Sequence, residues 1–300
     1  MAINKNTKKH ISKYKFKSNK TKSNKTKSNK TKSHKNATLN ILSYNISWES
    51  MSGSVKNWSL CNNNTNKSNS RHSSVCVNNI SNVFDSSNTI DNTLDFITLQ
   101  EATDYKKLIA ESSRLKNMKY ETHKSGLDTI VTFWDAKYKL VKVVNSEFEK
   151  GRPWMATIFN SSSSSSTSQD LCLVNVHMGH YDKENQLKHM DKMILDIKNK
   201  LKEKENKKDS TKDSKIRQLR YIISGDFNYD IKEFGNSSNY FTLNNTNFYY
   251  NKKHILTCCI NRRKHNDHVI DSLESPIDIN IPKVSYMASD HKPILVKVKE

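Results

Sequence analysis

The constraint that most narrows the fold is a set of short apolar runs that stop abruptly at polar side chains. Residues 39–46 (LNILSYNI), 95–100 (DFITLQ), 129–134 (TIVTFW), 155–159, 171–176 (LCLVNV), 221–224 (YIIS), 269–273 and 294–298 have strand length and β-branched or aromatic content. They predict about eight strands. Between residues 184 and 201, Leu187, Met190, Met193, Ile194, Ile197 and Leu201 recur at spacings of three and four, the pattern of an amphipathic helix. Residues 105–115 carry a weaker version through Leu108, Ile109 and Leu115. Strands interleaved with helices predict an α/β or α+β layered fold rather than a β-sandwich alone.

Average composition points the other way, because only 34% of the 300 residues are apolar and the net charge is +20. The charge is uneven. Residues 1–38 hold thirteen lysines and no acid, which leaves +7 for everything after them. Within this tail the pentamer KSNKT repeats at 17–21, 22–26 and 27–31, followed by KSHKN at 32–36. A polar five-residue period matches neither helix nor strand and offers no face to bury, so disorder is expected. Three more biased stretches, 59–74, 160–170 (with six consecutive serines) and 203–215, read as surface-loop insertions. The remainder of 39–300 has the length and apolar content of one ordinary domain.

Several classes are excluded or disfavoured. Six glycines supply no G-x-x-x-x-G-K and no G-x-G-x-x-G phosphate cradle. Five cysteines, an odd number without a C-x-x-C pair, argue against a disulfide framework or a zinc cluster and fit a reducing compartment. No apolar run approaches the ~18 residues of a membrane helix, and the lysine-rich start lacks a signal peptide's apolar segment. The expectation is a soluble intracellular protein, cytoplasmic or nuclear, acting as a monomer.

Chemistry enters where the runs end: at Asn45, at Glu101, at His177, at Asp226 and Asn228, and at Asp290-His291 beyond residues 284–289. A carboxylate at the edge of an apolar strand costs free energy unless it binds a cation or accepts hydrogen bonds. Singly, each reads as a solvated strand end. Gly225 before Asp226 permits a tight turn that would show Asp226 and Asn228 on one side.

Taken in order, Asn45, Gln100-Glu101, Asn175-Val176-His177, Gly225-Asp226-Phe227-Asn228 and Ser289-Asp290-His291 resemble the endonuclease/exonuclease/phosphatase (DNase I-like) superfamily over the whole of 39–300. The resemblance implies a four-layer α-β-β-α sandwich, two mixed sheets face to face with helices outside. It also implies a divalent-metal phosphoesterase site where strand ends converge. On that likeness Glu101, Asn45 and Asp290 are metal ligands, and oxygen donors of this kind suit Mg²⁺ or Mn²⁺. Asp226 would orient or deprotonate the attacking water and Asn228 would donate to a phosphate oxygen. His291 would be a general base or a charged donor, and His177 would contact the phosphate or protonate the leaving group. Residues 267–270 resemble the family's D-[YH]-I strand, which makes Asp267 the partner of His291. Arg152, in Gly151-Arg152-Pro153, is a candidate contact to substrate phosphate or a structural salt bridge. The pair His177 and His180 forms an H-x-x-H without further ligands and carries little weight as a metal motif.

Histidine at position 177 leans away from AP endonucleases and towards DNase I-like, deadenylase-like or tyrosyl-DNA phosphodiesterase-like members. The polybasic tail points to a nucleic-acid partner, since lysines that neutralise phosphates give steeply salt-dependent binding without reading sequence. The expected function is therefore divalent-metal-dependent hydrolysis of nucleic-acid phosphodiesters. Alternatives are an inositol-phosphate or lipid-headgroup phosphatase of the same fold, and a catalytically degenerate nucleic-acid-binding protein.

Overall fold

A computed structural model describes residues 38–47, 69–86, 94–160, 169–205, 218–235, 238–253, 255–258, 264–274, 277–282 and 289–299. The Lys-rich tail and most of the three biased stretches lie outside the described residues.

Among the described residues, thirteen strands form two sheets. The first is built from β1 (Thr38–Asn45), β2 (Phe96–Gln100), β3 (Lys119–Ser125), β4 (Asp128–Trp134), β12 (Ile277–Asn280) and β13 (Ile294–Lys299), in the order β12-β13-β1-β2-β4-β3. The second contains β5 (Leu140–Glu147), β6 (Pro153–Phe159), β7 (Asp170–His177), β8 (Leu219–Asp226), β9 (Tyr240–Leu243), β10 (Thr246–Tyr250) and β11 (Asp267–Asp271), in the order β5-β6-β7-β8-β11-β10-β9. Three α-helices accompany them among the described residues: α1 (Asn69–Asp85), α2 (Tyr105–Glu111) and α3 (Lys183–Glu205). No helix among them is long and apolar enough to cross a membrane.

The layers follow from strand alternation, because successive side chains point to opposite faces. Leu42, Tyr44, Ile97, Leu99, Val131 and Phe133 pack on α1 and α2 through Ile80, Phe84 and Leu108. Trp154, Val174, Ile223 and Ile270 pack on α3 through Met190, Met193, Ile194 and Ile197. The intervening positions, Leu39, Ile41, Phe96, Trp134, Phe159, Leu173, Ile222 and Val269, join the two sheets. Each of the three apolar clusters is thus one interface of a four-layer sandwich, α1/α2 on one outside and α3 on the other.

The inter-sheet interface changes character along the strands. One end is aliphatic and aromatic. Further along, the same faces carry Thr98, Gln100, Asn175 and Ser224, all fully buried. Buried polar groups persist only when paired, and these pair across the gap. Thr98 Oγ1 lies 2.9 Å from Ser224 Oγ, and Gln100 Nε2 donates to Asn175 Oδ1 at 2.8 Å. The Asn175 amide also donates to the Leu99 and Val131 carbonyls at 3.1 and 3.0 Å. Beyond this polar layer the strands end, at the candidate site.

The eight expected strands are all present. The five not foreseen, β3, β5, β9, β10 and β12, lie at or near sheet edges and keep exposed or half-exposed residues along their length, so none reads as a continuous buried run. Helix α1 was also not foreseen. Its first residues, 69–74, belong to the stretch 59–74 read as a loop insertion, whose Asn and Ser content hid a helix buried through Cys76, Val77, Ile80, Val83 and Phe84. Likewise Asp170 opens β7, and Glu203–Glu205 close α3. Cys172 is free and buried, but Cys76 and Cys258 are each disulfide-bonded, contrary to the reading of the odd count.

Gly225 works differently from a turn glycine. It sits inside β8 at φ +148, and a Cβ there would lie 2.0 Å from the Val176 carbonyl oxygen. The missing side chain lets β7 and β8 close up so that His177 stands in register with Asp226. Gly225→Ala is expected to cost about 2 kcal/mol or more of folding stability, from strained backbone plus a clash that only main-chain movement relieves. Urea unfolding of the variant against wild type measures it.

Candidate active site

Seven strand ends meet at one edge of the sandwich. The parallel strands β1 and β2 end side by side, with Asn45 opposite Gln100. In the facing sheet β7 and β8 also run parallel and end at His177 and Asp226. Antiparallel β11 begins there, with Asp267 opposite Asp226. Antiparallel β4 begins at Asp128, and β13 is preceded by Ser289, Asp290 and His291. Hydrogen-bond register therefore gathers residues spread over almost 250 positions of sequence.

Asp226 is at the centre and is 1% exposed. Its Oδ2 accepts from Asn45 Nδ2 at 2.9 Å and lies 3.6 Å from His291 Nε2 and 3.7 Å from His177 Nε2, while Oδ1 accepts from the Asn228 N–H at 2.8 Å. Burial alone would raise its pKa; the two histidines and these donors outweigh burial and hold it below the ordinary value.

Each histidine is oriented by its own carboxylate. His291 Nδ1 lies 2.9 Å from Asp267 Oδ2, and His177 Nδ1 lies 2.6 Å from Asp128 Oδ2. Burial pulls the His291 pKa down, but Asp267 and Asp226 push it up to about 10, so its imidazole is charged at neutral pH. Burial also pulls His177 down, and Asp128, Asp226 and Glu101 raise it overall. Arg152 acts in the opposite sense, since its Nη1 approaches His177 Nε2 to 2.6 Å and an N–H there needs a lone pair to receive it. The contact favours neutral His177 with its proton on Nδ1, shared with Asp128. The two carboxylate-histidine pairs thus carry different charges.

Glu101 follows β2 at φ +54, a left-handed conformation uncommon outside glycine and asparagine. Its N–H donates to Asp128 Oδ1 at 3.1 Å, so Asp128 holds both Glu101 and His177. The Glu101 side chain is 19% exposed, at the mouth of a cavity of about 260 Å³ lined also by Leu127, Lys150 and Arg152. Its Oε1 accepts from Asn45 Nδ2 at 3.1 Å and stands 3.7 Å from His177 Nε2. Two carboxylates, Glu101 and Asp226, share one amide group of Asn45.

The structure brings together Asn45, Glu101, His177, Asp226, Asn228, Asp267, His291 and Arg152, and qualifies four of the assigned roles. Asn45 turns its nitrogen to the carboxylates, and its Oδ1 accepts from the Ser47 N–H at 3.0 Å instead of facing a cation site. The Asn228 amide donates to the Met178 carbonyl at 2.7 Å, leaving its second N–H direction for a ligand. Asp290 is 44% exposed and neighbours His291 at 3.9 Å, grouped with Cys258 and His291 rather than with Glu101. Arg152 meets an imidazole, not the carboxylate a structural salt bridge would use. His180 is exposed and joins no metal-type group among the described residues.

Two site residues, Asp128 and Thr257, escaped sequence reading, and Ser289 was read as part of its motif without a role. Asp128 begins an apolar run instead of ending one, so the signal that found the others missed it. Ser289 Oγ donates to the Asn45 carbonyl at 2.7 Å and receives the His291 N–H at 3.1 Å, which ties the histidine to β1. Thr257 Oγ1 accepts from the Asp267 N–H at 3.0 Å.

As a cation site the edge fits a hard divalent ion through its carboxylates, Glu101 above all, because it is the more exposed of the two acidic side chains, Glu101 and Asp128, that line the cavity. The buried His and Asp groups around Asp226, Asp267 and His291 are of the metal-binding type as well.

No family model matches the chain. The chain has the endonuclease/exonuclease/phosphatase fold, as similarity to solved structures shows. One is an endonuclease/exonuclease/phosphatase from Bacteroides vulgatus (TM-score 0.54, 13% identity, 88% of this chain and 99% of that one). A second is the catalytic domain of human Nocturnin with a bound sulfate anion (0.55, 14%, 87% and 94%). A third is D. rerio TDP2 complexed with a single strand DNA product (0.53, 12%, 88% and 100%). Among curated proteins, protein L684 of Acanthamoeba polyphaga mimivirus is 28% identical over 270 residues. That match takes in 85% of this chain, which spans about half of L684's length, 49%.

If Asp267 sets the charge on His291, Asp267→Asn shifts the alkaline limb of any activity that needs charged His291. With the carboxylate present that limb lies near the raised pKa of about 10. Without it the limb moves down towards the ordinary imidazole range, about 6.5. A kcat-pH profile of the variant against wild type checks this.

Proposed function

We propose that the chain is a divalent-metal-dependent phosphodiesterase that hydrolyses nucleic acid, with Asp226 at the reacting centre. The observation that carries this reading is the convergence of two carboxylate-oriented histidines, Asp128-His177 and Asp267-His291, on one buried anionic carboxylate beside Glu101. A hard cation such as Mg²⁺ or Mn²⁺, held by Glu101, would neutralise phosphate charge. Asn45, which hydrogen-bonds Glu101 and Asp226 together, joins that site as a ligand only if its amide turns over. Asp290 is a candidate outer ligand.

The remaining roles belong to the chain's own groups. Anionic Asp226, held below the ordinary carboxylate range, orients the attacking water and accepts its proton. Charged His291 donates to a phosphate oxygen, where its positive charge offsets the negative charge that builds up in the transition state. His177, polarised by Asp128, and Arg152 line the cavity wall and contact the phosphate or the leaving oxygen. Asn228 supplies a further N–H donor.

Nucleic acid is favoured over a small phosphoester by two supports. The neighbouring TDP2 structure carries a single strand DNA product. The chain's own tail concentrates +13 of its charge within residues 1–38, a segment proposed to bind the phosphate backbone ahead of the catalytic domain. The same reading has the protein acting as an intracellular monomer.

Purified protein with Mg²⁺ is to be tested on plasmid, single-stranded DNA, RNA and a 5′-tyrosyl oligonucleotide, with inositol phosphates alongside. Cleavage of at least one nucleic acid is expected, and Asp226→Asn should lower kcat by about 10³-fold or more, as loss of a group acting on the reacting atoms does. Phosphate release from inositol phosphates with no nucleic acid cleaved would falsify the substrate assignment; no turnover of any of them would favour a binding protein.

A further inference from the structure

On the opposite face of β11 from Asp267 lies a second cluster that the phosphodiesterase reading does not use. Asp230 follows the 225–228 segment, His265 precedes β11, and His268 is inside it. One ligand atom from each lies within 4.8 Å of the other two. The imidazole rings of His265 and His268 are 4.3 Å apart between centroids, at 58°.

We infer that Asp230, His265 and His268 form a Zn²⁺ site that ties the segment carrying Asp226 and Asn228 to the start of β11 carrying Asp267. His265 Nδ1 stands 3.4 Å from Asp230 Oδ1. That is long for a charge-assisted hydrogen bond, typically about 2.7–2.9 Å. It matches the separation of about 3.3–3.4 Å between two ligands of a tetrahedral zinc with 2.0–2.1 Å bonds. Two imidazoles and one carboxylate suit zinc and disfavour Mg²⁺, which prefers oxygen throughout.

The surroundings fit a ligand set. The His268 ring is fixed by the His265 and Tyr229 carbonyls, 2.9 and 3.0 Å from Nε2, and Asp230 Oδ1 is positioned by the Lys232 N–H at 3.1 Å. Backbone partners of this sort orient metal-binding histidines and carboxylates. The two histidine side chains are buried, whereas Asp230 is 26% exposed, which leaves a solvent-facing fourth position for water. This site is independent of the catalytic assignment: its loss would loosen the β8–β11 connection whatever reaction the edge performs.

The test is zinc content and thermal stability of the full chain, dialysed against excess Mg²⁺. About one zinc per chain is expected to remain. Zinc restored to stripped protein at a hundredfold excess over Kd should raise Tm by about 5–10 °C. Glu101→Gln should keep the zinc and His268→Gln should lose it. If His268→Gln does not fold, Asp230→Asn, at the solvent edge, should bind zinc about tenfold or more weakly. Wild type that neither retains zinc nor responds to it overturns the inference. So does a folded His268→Gln or Asp230→Asn that binds zinc like wild type, since the metal would then sit elsewhere.

Discussion

A single carboxylate, Asp226, is the point on which the rest depends. It is anionic and almost fully buried, a state that costs several kcal/mol unless charge and hydrogen bonds offset it. The offset comes from Asn45 in the other sheet, from the Asn228 N–H in its own loop, and from histidines at the ends of β7 and before β13. Each of those partners is held in turn: Asn45 by the Ser47 N–H and Ser289, His177 by Asp128, His291 by Asp267, Asp267 by Thr257. Removing one partner leaves a buried group unsatisfied, so the edge is coupled throughout.

That coupling explains the gradient inside the sandwich. A sheet interface that was apolar to its end would leave Asp226 and the histidines against hydrocarbon. The layer of Thr98, Gln100, Asn175 and Ser224 grades the interior from aliphatic to ionic, and its cross-sheet hydrogen bonds fix how the sheets slide on each other. A one-residue slip would turn the polar layer and the site residues to the helix faces. The close approach of β7 and β8 at Gly225 serves the same end, because it sets His177 level with Asp226.

Much of this was legible because apolar strands that end in polar residues carry a signal in both periodicity and composition. Asn45, Glu101, His177, Asp226 and His291 were found that way, and their order led to the fold. Asp128 was missed because it opens its strand, so no apolar run leads up to it. Edge strands such as β3 and β9 were invisible for a related reason, since half-exposed alternation of Lys, Tyr and Thr does not form a run. Helix α1 hid behind an Asn/Ser-rich composition that propensity assigns to loops, yet Val77, Ile80 and Phe84 bury it. The side-chain orientations of Asn45 and Asn228, and the Arg152 contact with His177, are tertiary facts without a local trace.

Asp226 sits as an anion between two differently charged imidazoles, one His291 paired with Asp267 and the other His177 shared between Asp128 and Arg152. Histidine ¹⁵N NMR of the metal-free protein, titrated from pH 6 to pH 9, reads both rings directly. The predicted result is that His291 stays fully protonated across the range, in line with its pKa near 10, and that Asp267→Asn makes it titrate. A wild-type His291 that loses its proton near the ordinary imidazole value of about 6.5 would contradict the claim.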